Sequence, residues 1–262
     1  MSEPAIALSP LPFELVLGDG SLLESEWHAI ELPFLWEVIR QAMAEQGRTD
    51  FYVGGDMFVY YSVQQAREVA EEEKKKGLER RAFRGPDVFW VGGVDPDRER
   101  KAWISWEEGG RLPDVIFELL SPTTAHKDRT EKRALYAQVF RTAEYFMYDP
   151  DTHRLEGLSL GRRSSYRTIL PDRNGRLWSE RLGASVGLWH GTVKGRQGDW
   201  VRLFRPDGSL VPTEAEAAEQ RLEAERQRAE AAGQRAEAER QRAEAAEAEL
   251  ARLRALLEKR EG

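Results

Sequence analysis

The chain of 262 residues contains no cysteine. Disulfide scaffolds, cysteine-ligated zinc or iron–sulfur sites and thiol catalysis are therefore excluded. No apolar run approaches the ~20 residues that a membrane span needs, and no basic segment precedes the first apolar stretch, so we expect neither a membrane helix nor a signal peptide. These absences fit a cytoplasmic protein, which is the location that we expect.

Positive charge is also scarce, because 46 acidic residues outweigh 39 basic ones and leave a formal net charge of -7. This balance counts against a protein that coats nucleic acid through bulk charge, but it is compatible with a local basic groove. Aromatic residues end at Phe204, and all eight tryptophans lie between Trp27 and Trp200. We therefore expect the hydrophobic core, and any chemistry, in a domain that covers residues 1–212.

The remaining segment, residues 213–262, has 13 Glu and 15 Ala but no aromatic residue or proline. This composition favours a helix and cannot build a core of its own. One row of residues recurs every seven positions, which predicts the seam of a coiled coil that joins copies of the chain. Its members are Leu222, Ala229, Ala236, Ala243, Leu250 and Leu257. Because the middle of the row is only alanine, a single solvated helix held by Glu–Arg pairs is the alternative.

Hydrophobic periodicity divides the first domain into strands and helices. The pattern predicts helices over 32–43 and 124–140 and strands within 51–63, 86–91, 114–120, 144–148 and 154–160, with short strands over 168–200. The polar stretch 64–80 is read as a solvated helix or loop, and 95–110 as a loop. Strands on both sides of a crossover helix predict an α/β fold with a mixed sheet.

Two of these strands carry acids that a plain core would not contain. Asp87 opens one strand, and Glu118 lies inside another whose two faces are both apolar. A carboxylate in such a strand needs a partner or a metal. Asp114 shares the face of Glu118 but lies ~13 Å along the strand, whereas a neighbouring strand ~4.8 Å away brings Asp87 within reach if the register suits.

A helix after this strand supplies a cation. Asp128, Lys132 and Tyr136 lie on one stripe of the predicted helix, so Lys132 faces the sheet. An inward lysine beside two inward carboxylates is either a structural salt-bridge network or a catalytic site. With a divalent cation such as Mg²⁺ or Mn²⁺, the same groups are equipped to hydrolyse a phosphodiester.

The order and spacing of several short motifs resemble the Uma-two family of restriction endonuclease-type proteins, within the PD-(D/E)XK nuclease superfamily. The matching fragments are YVGGDMFVYY, GPD at 85–87, WISWEEGG, PDVIFELLSP at 113–122, Lys132 with Tyr136, EY at 144–145 and YDP at 148–150. This resemblance implies a PD-(D/E)XK-type mixed β-sheet core flanked by helices, followed here by the long C-terminal helix or coiled coil.

The resemblance also implies a metal site. Asp87 and Glu118 would be its ligands, with the main-chain carbonyl of Leu119 as a third. The lysine that the superfamily places two residues after the acid is Leu120 here, so its role would move to Lys132, in agreement with the helical stripe. Three weaker candidates are Glu37, as the acid on an early helix, Asp56, which is otherwise a turn residue, and Asp114, which shares the face of Glu118.

These observations predict a Mg²⁺-dependent (or Mn²⁺-dependent) endonuclease that acts on DNA and self-associates through its tail. The main alternative is an inactive module of the same fold that works through its coiled coil, and another is a phosphodiesterase for a smaller substrate. Basic residues beside the site would track phosphates, including Arg80, Arg81, Arg84, Arg98, Arg100, Lys101, Lys127, Arg129 and Arg133. The four histidines show no metal-binding spacing.

Overall fold

A computed structural model describes residues 25–74, 85–121 and 125–261 of the chain, and the side chains among them except those of 73–74 and 253–261. Residue 124, where the crossover helix is expected to begin, and the basic residues Arg80, Arg81 and Arg84 lie outside the described residues. The chain divides into two compact units, residues 1–211 and 212–262.

Among the described residues of the first unit, three helices are longer than a single turn. Helix α1 covers Glu26–Glu45 and extends beyond the expected 32–43, because Ser25 caps its first turn by accepting a hydrogen bond from the His28 N–H. Helix α2 covers Val63–Lys74. The crossover helix, α3, is a helical run in which α-helical and π-helical stretches alternate: Ala125–Lys127, Asp128–Lys132, Arg133–Leu135 and Tyr136–Phe140.

Eleven strands form three sheets among the described residues. They are β1 Phe51–Gly54, β2 Val59–Tyr60, β3 Val88–Gly92, β4 Trp103–Ile104, β5 Val115–Leu119, β6 Glu144–Asp149, β7 Arg154–Leu160, β8 Tyr166–Thr168, β9 Leu177–Ser179, β10 Ala184–Val193 and β11 Arg196–Phe204. The main sheet has the order β1-β3-β5-β6-β7-β8. Its β5–β6 pair is parallel and its other pairs are antiparallel, with α3 as the crossover. The predicted mixed α/β fold is confirmed.

Some elements differ from the sequence prediction. The stretch 51–63 is interrupted at Gly54, Gly55 and Asp56, as the sequence predicts, but its two parts join different sheets, since β1 belongs to the main sheet and β2 pairs with β4. Strand β4 lies in the expected loop 95–110, where Trp103 is fully buried. Over 168–200 short strands are expected, but β10 and β11 form a long hairpin there. Its length is not predicted because glycines interrupt the apolar pattern.

Strand β5 is buried on both faces, as its alternation predicted. Val115, Phe117 and Leu119 pack in the core cluster that contains the apolar side of α1. Ile116 and Leu120 pack in the second cluster, with Tyr136 and Phe140 of α3. Glu118 has the parity of the second set, so its carboxylate lies between the sheet and α3.

The second unit contains one continuous helix, α4, over Glu214–Glu261. A capping box begins it: Glu216 N–H donates to Thr213 Oγ1, and Thr213 N–H donates to Glu216 Oε2. The predicted long helix is confirmed. Leu222 and Leu250 of the heptad row are 69% and 55% exposed, so the coiled coil and the single helix both remain open. In the described part of the chain, no helix is long and apolar enough to cross a membrane.

Candidate active site

The register of β3 and β5 brings Asp87 and Glu118 together. Val88 pairs with Phe117 in this antiparallel ladder, so the next residue on each strand, Asp87 and Glu118, meet at its end. Asp87 Oδ2 accepts a hydrogen bond from the Leu119 N–H at 2.6 Å. Two of the predicted metal ligands and the residue that carries the third are thus neighbours.

Helix α3 brings an ammonium group, a carboxylate and a hydroxyl group close to Glu118. Lys132 Nζ lies 2.8 Å from Glu118 Oε2 and 2.8 Å from Asp128 Oδ1. Tyr136 donates its hydroxyl hydrogen to Glu118 Oε1 at 2.7 Å. The carboxylates of Glu118 and Asp128 are each 1% exposed, and the Lys132 side chain is 11% exposed. We call Asp87, Glu118, Asp128, Lys132 and Tyr136 the acid cluster.

The local form of α3 places three of these side chains on one face. Asp128, Lys132 and Tyr136 follow one another at intervals of four residues and span both π-helical stretches and the α-helical turn between them. π-Helical turns widen the hydrogen-bond pattern and often occur at functional sites. Tyr145 of β6 donates its hydroxyl hydrogen to the Asp128 main-chain carbonyl at 3.1 Å, which ties the first of these turns to the sheet.

Burial and charge shift the pKa values of Asp87, Glu118 and Lys132. Burial raises the pKa of Glu118 well above its usual range, and the Lys132 ammonium opposes that shift only in part. The pKa of Asp87 is raised for the same first reason. Burial alone would lower the pKa of Lys132, but Glu118, Asp128 and Asp87 together raise it above its ordinary value. Lys132 is therefore a stable ammonium at neutral pH.

The donor set of the cluster fits a hard divalent cation. Three carboxylates share one ammonium, so a bound cation would stabilise the charge that burial disfavours. Across residues 25–74, 85–121 and 125–261, no three His, Asp or Glu side chains are arranged as a metal-binding group. An ion here would be coordinated by Asp87, Glu118, the Leu119 carbonyl and water. Mg²⁺ is usually bound in this way, by one or two protein carboxylates together with several water molecules.

Two glycines let the main chains beside Asp87 approach closely. A Cβ atom on Gly55 would lie 2.0 Å from the Asp87 carbonyl oxygen, and one on Gly85 would lie 1.6 Å from that of Met57. Only glycine fits at such contacts. The second glycine of YVGGDM and the first residue of GPD therefore fix where β3 begins, and with it the position of Asp87.

The three weaker candidates occupy different places. Asp56 is exposed in the turn after Gly55, in a left-handed conformation with φ +47°. Glu37 lies half-buried on α1. Asp114 precedes β5, at the end of the strand away from Glu118, where its Oδ2 accepts a hydrogen bond from the Gly92 N–H at 3.0 Å. The structure thus brings together Asp87, Glu118 and Lys132, and it places Asp114 apart from them.

Sequence reasoning missed two residues at this site. Asp128 was visible on the helical stripe, four positions before Lys132, but was not assigned a part. His28 donates from Nε2 to the Leu119 carbonyl at 3.0 Å across 91 positions of sequence. No spacing signals that contact, because the partner is a main-chain atom.

Several basic residues expected to face phosphates are instead paired with acids. Arg98 bonds Glu107, and Arg100 bonds Glu108 with its own side chain only 2% exposed. Arg129 bonds Glu156 and lies near Asp149. These three arginines therefore stabilise their own loops and helix. Arg133 is exposed on α3, close to the acid cluster in sequence.

Comparison with known proteins identifies the family of this chain and finds distant structural neighbours. The profile of the Uma2 family, described as "Putative restriction endonuclease", matches residues 13–194. A solved structure from Anabaena variabilis, titled a "putative nuclease belonging to DUF820", is 12% identical, with a TM-score of 0.40, over 62% of this chain and 76% of that one. A likeness this distant adds nothing to the assignment. No curated protein matches the chain. Since the family profile covers most of the chain, the protein belongs to the Uma2 family, whose described activity is that of a nuclease.

Proposed function

We propose that this protein is a Mg²⁺-dependent endonuclease that hydrolyses phosphodiester bonds of DNA at the acid cluster. The observation that carries the proposal is the meeting of Asp87 and Glu118 at the end of the β3–β5 ladder, with one lysine for three acids. Family membership supplies the reaction class. Mn²⁺ would serve in place of Mg²⁺, because the ligands are oxygen atoms.

Asp87, Glu118 and the Leu119 carbonyl would hold the metal ion. When bound, such an ion acidifies a water molecule and neutralises charge on phosphate oxygens. Asp87 is already oriented by the Leu119 N–H, and Glu118 by Tyr136, so neither carboxylate needs to reorganise. This order before binding is the condition for efficient electrostatic catalysis.

Lys132 would act as a positive charge and a hydrogen-bond donor. Because the surrounding carboxylates raise its pKa, we assign it the role of an ammonium and not that of a general base. Asp128 holds the ammonium from the same helix while Glu118 contacts it from the sheet. From this position Lys132 would orient the attacking water or stabilise the charge that develops on the phosphate. The resemblance assigns this role to a lysine at the position that Leu120 occupies here.

DNA would meet this site through a small basic surface. Of the basic residues expected to contact phosphates, Arg98, Arg100 and Arg129 are paired with acids, which leaves Lys101, Lys127 and Arg133 among those that the structure describes. Arg133 and Lys127 on α3 are those that we assign to the substrate. Because few phosphates would be neutralised, we expect weak affinity for DNA that depends only shallowly on salt concentration. We further propose that α4 joins copies of the chain.

A cleavage assay tests this function. Wild type should nick supercoiled plasmid with Mg²⁺ or Mn²⁺ and lose that activity in EDTA. Glu118→Gln keeps the side-chain size and removes the charge, so its rate should fall by about 100-fold or more. The matched control is Glu144→Gln, since Glu144 is also buried in the main sheet but binds Ser179 and the Glu180 N–H instead.

The other outcomes separate the alternatives. Cleavage of small phosphodiesters but not of plasmid would favour the phosphodiesterase. No metal-dependent hydrolysis by a folded wild-type protein, or equal rates in Glu118→Gln, would overturn the endonuclease and favour the interaction module that acts through its helix.

A further inference from the structure

Side chains form hydrogen bonds with both main-chain polar groups of Leu119. Its N–H donates to Asp87 Oδ2 at 2.6 Å, and its carbonyl oxygen accepts from His28 Nε2 at 3.0 Å. The first bond joins β5 to β3, and the second joins β5 to the first turn of α1. The carbonyl that the metal would use is therefore already oriented by a histidine.

A second hydrogen bond fixes the ring of His28. Its Nδ1 lies 2.8 Å from Ser25 Oγ, the same oxygen that caps α1. Because a carbonyl oxygen only accepts, Nε2 must carry the hydrogen that points to Leu119, and Nδ1 accepts from the Ser25 hydroxyl. His28 is 6% exposed, and the Trp27 ring meets it edge-on with centroids 5.5 Å apart. The tautomer and the orientation of the ring are thus both determined.

We infer that His28 is a positioning residue for the metal site, which it serves by aligning the Leu119 carbonyl. This inference rests on the proposed function. A carbonyl oxygen has two lone pairs, so one accepts from His28 while the other stays available to a cation. Hydrogen bonds from the second layer of a metal site orient its ligands, and their loss typically weakens metal binding about 10- to 100-fold.

The test is Mn²⁺ binding by calorimetry, with melting temperature and plasmid cleavage as further readouts. His28→Ala should weaken Mn²⁺ binding about 10- to 100-fold. His28→Gln should recover most of the affinity, because its amide nitrogen stands where Nε2 stood and still donates. The control is His190→Ala: the His190 ring is 64% exposed on β10 and pairs with Asp199. The Mn²⁺ affinity of the His190→Ala variant should equal that of wild type.

A purely structural histidine would give a different pattern. The melting temperature without metal would then fall in His28→Ala, while the Mn²⁺ affinity of the folded protein stayed unchanged, and that result would overturn the inference but leave the proposed function intact. If wild type binds no Mn²⁺, the proposed function and this inference both fail.

Ser25→Ala keeps the test decisive if His28→Ala does not fold. Without the hydroxyl, the tautomer is no longer fixed, so Mn²⁺ binding should weaken by a smaller factor, about 3- to 10-fold, and His28→Gln should stay close to wild type. Wild-type affinity in Ser25→Ala together with a loss in His28→Gln would contradict the assigned hydrogen-bond chain and overturn the inference.

Discussion

Lys132 Nζ lies 2.8 Å from Glu118 Oε2, although the two residues belong to a helix and to a strand. Leu120, two residues after Glu118 on the chain, is instead buried in the core between the sheet and α3. A lysine from the crossover helix thus brings its charge to the acid from another direction. The contact also makes Lys132 important for stability, because two buried carboxylates depend on it.

Lys132→Met should therefore destabilise the protein as well as inactivate it. With the ammonium gone, Glu118 and Asp128 are buried acids without a counter-charge, and we expect a loss of about 3–5 kcal/mol in the free energy of unfolding. Urea denaturation without metal measures this. Lys127→Met on the same helix is the control and should change the free energy by less than about 1 kcal/mol. Full stability and activity in Lys132→Met would refute both roles.

Gly55→Ala tests the close approach of main chains that positions Asp87. The added methyl group would lie 2.0 Å from the Asp87 carbonyl, so β1 and β3 must separate, and we expect lower stability and weaker cleavage. Gly198→Ala is the control, because its nearest neighbour would be an ordinary contact at 3.9 Å. Thermal melting and the plasmid assay compare the two variants. A neutral Gly55→Ala would show that Asp87 does not depend on this contact.

Tyrosines near the cluster predict a loss of stability in alkali. Burial raises the pKa of Tyr145 well above its usual value, and the charges of Glu118 and Asp128 raise it further. Above about pH 10 the unfolded chain releases this proton while the folded protein keeps it, so the free energy of unfolding falls as pH rises, by up to ~1.4 kcal/mol per pH unit for each such group.

Tyr145→Phe should remove that share of the alkaline slope. It also deletes the hydrogen bond to the Asp128 carbonyl, so we expect stability at pH 8 to be about 1 kcal/mol lower. Urea denaturation of both proteins between pH 8 and 11 gives the two slopes. Parallel slopes would mean that Tyr145 ionises alike in the folded and unfolded states.

The helix α4 is expected to join copies of the chain. Its heptad row can bury apolar area only against another helix, and Leu222 and Leu250 are exposed in the single chain. Deleting residues 213–262 should lower the oligomeric state measured by light scattering and leave the first domain folded. Changing both leucines to serine should have the same effect. An equal subunit number in all three proteins would favour the solvated single helix.

The sequence predicted those parts of the fold and site that depend on local pattern. The alternation of β5 placed Glu118 on the side of α3, and the stripe of α3 turned Lys132 toward it, so their contact needed no knowledge of the fold. The partners of Leu119 were not predictable in this way. His28 reaches a main-chain carbonyl 91 positions away, and neither composition nor periodicity records which main-chain atoms a fold leaves accessible. Arg98 and Arg100 were assigned to phosphate because charge alone does not show which acids lie beside them.

Calorimetric titration with Mg²⁺ tests the central claim most directly, namely that Asp87 and Glu118 together hold a divalent cation. The account predicts one ion bound per chain in wild type and in Glu144→Gln, and no binding in Asp87→Asn or Glu118→Gln. The bound ion should also raise the melting temperature, because it binds the folded state. Absence of binding in the folded wild type, or equal binding in all four proteins, would contradict it.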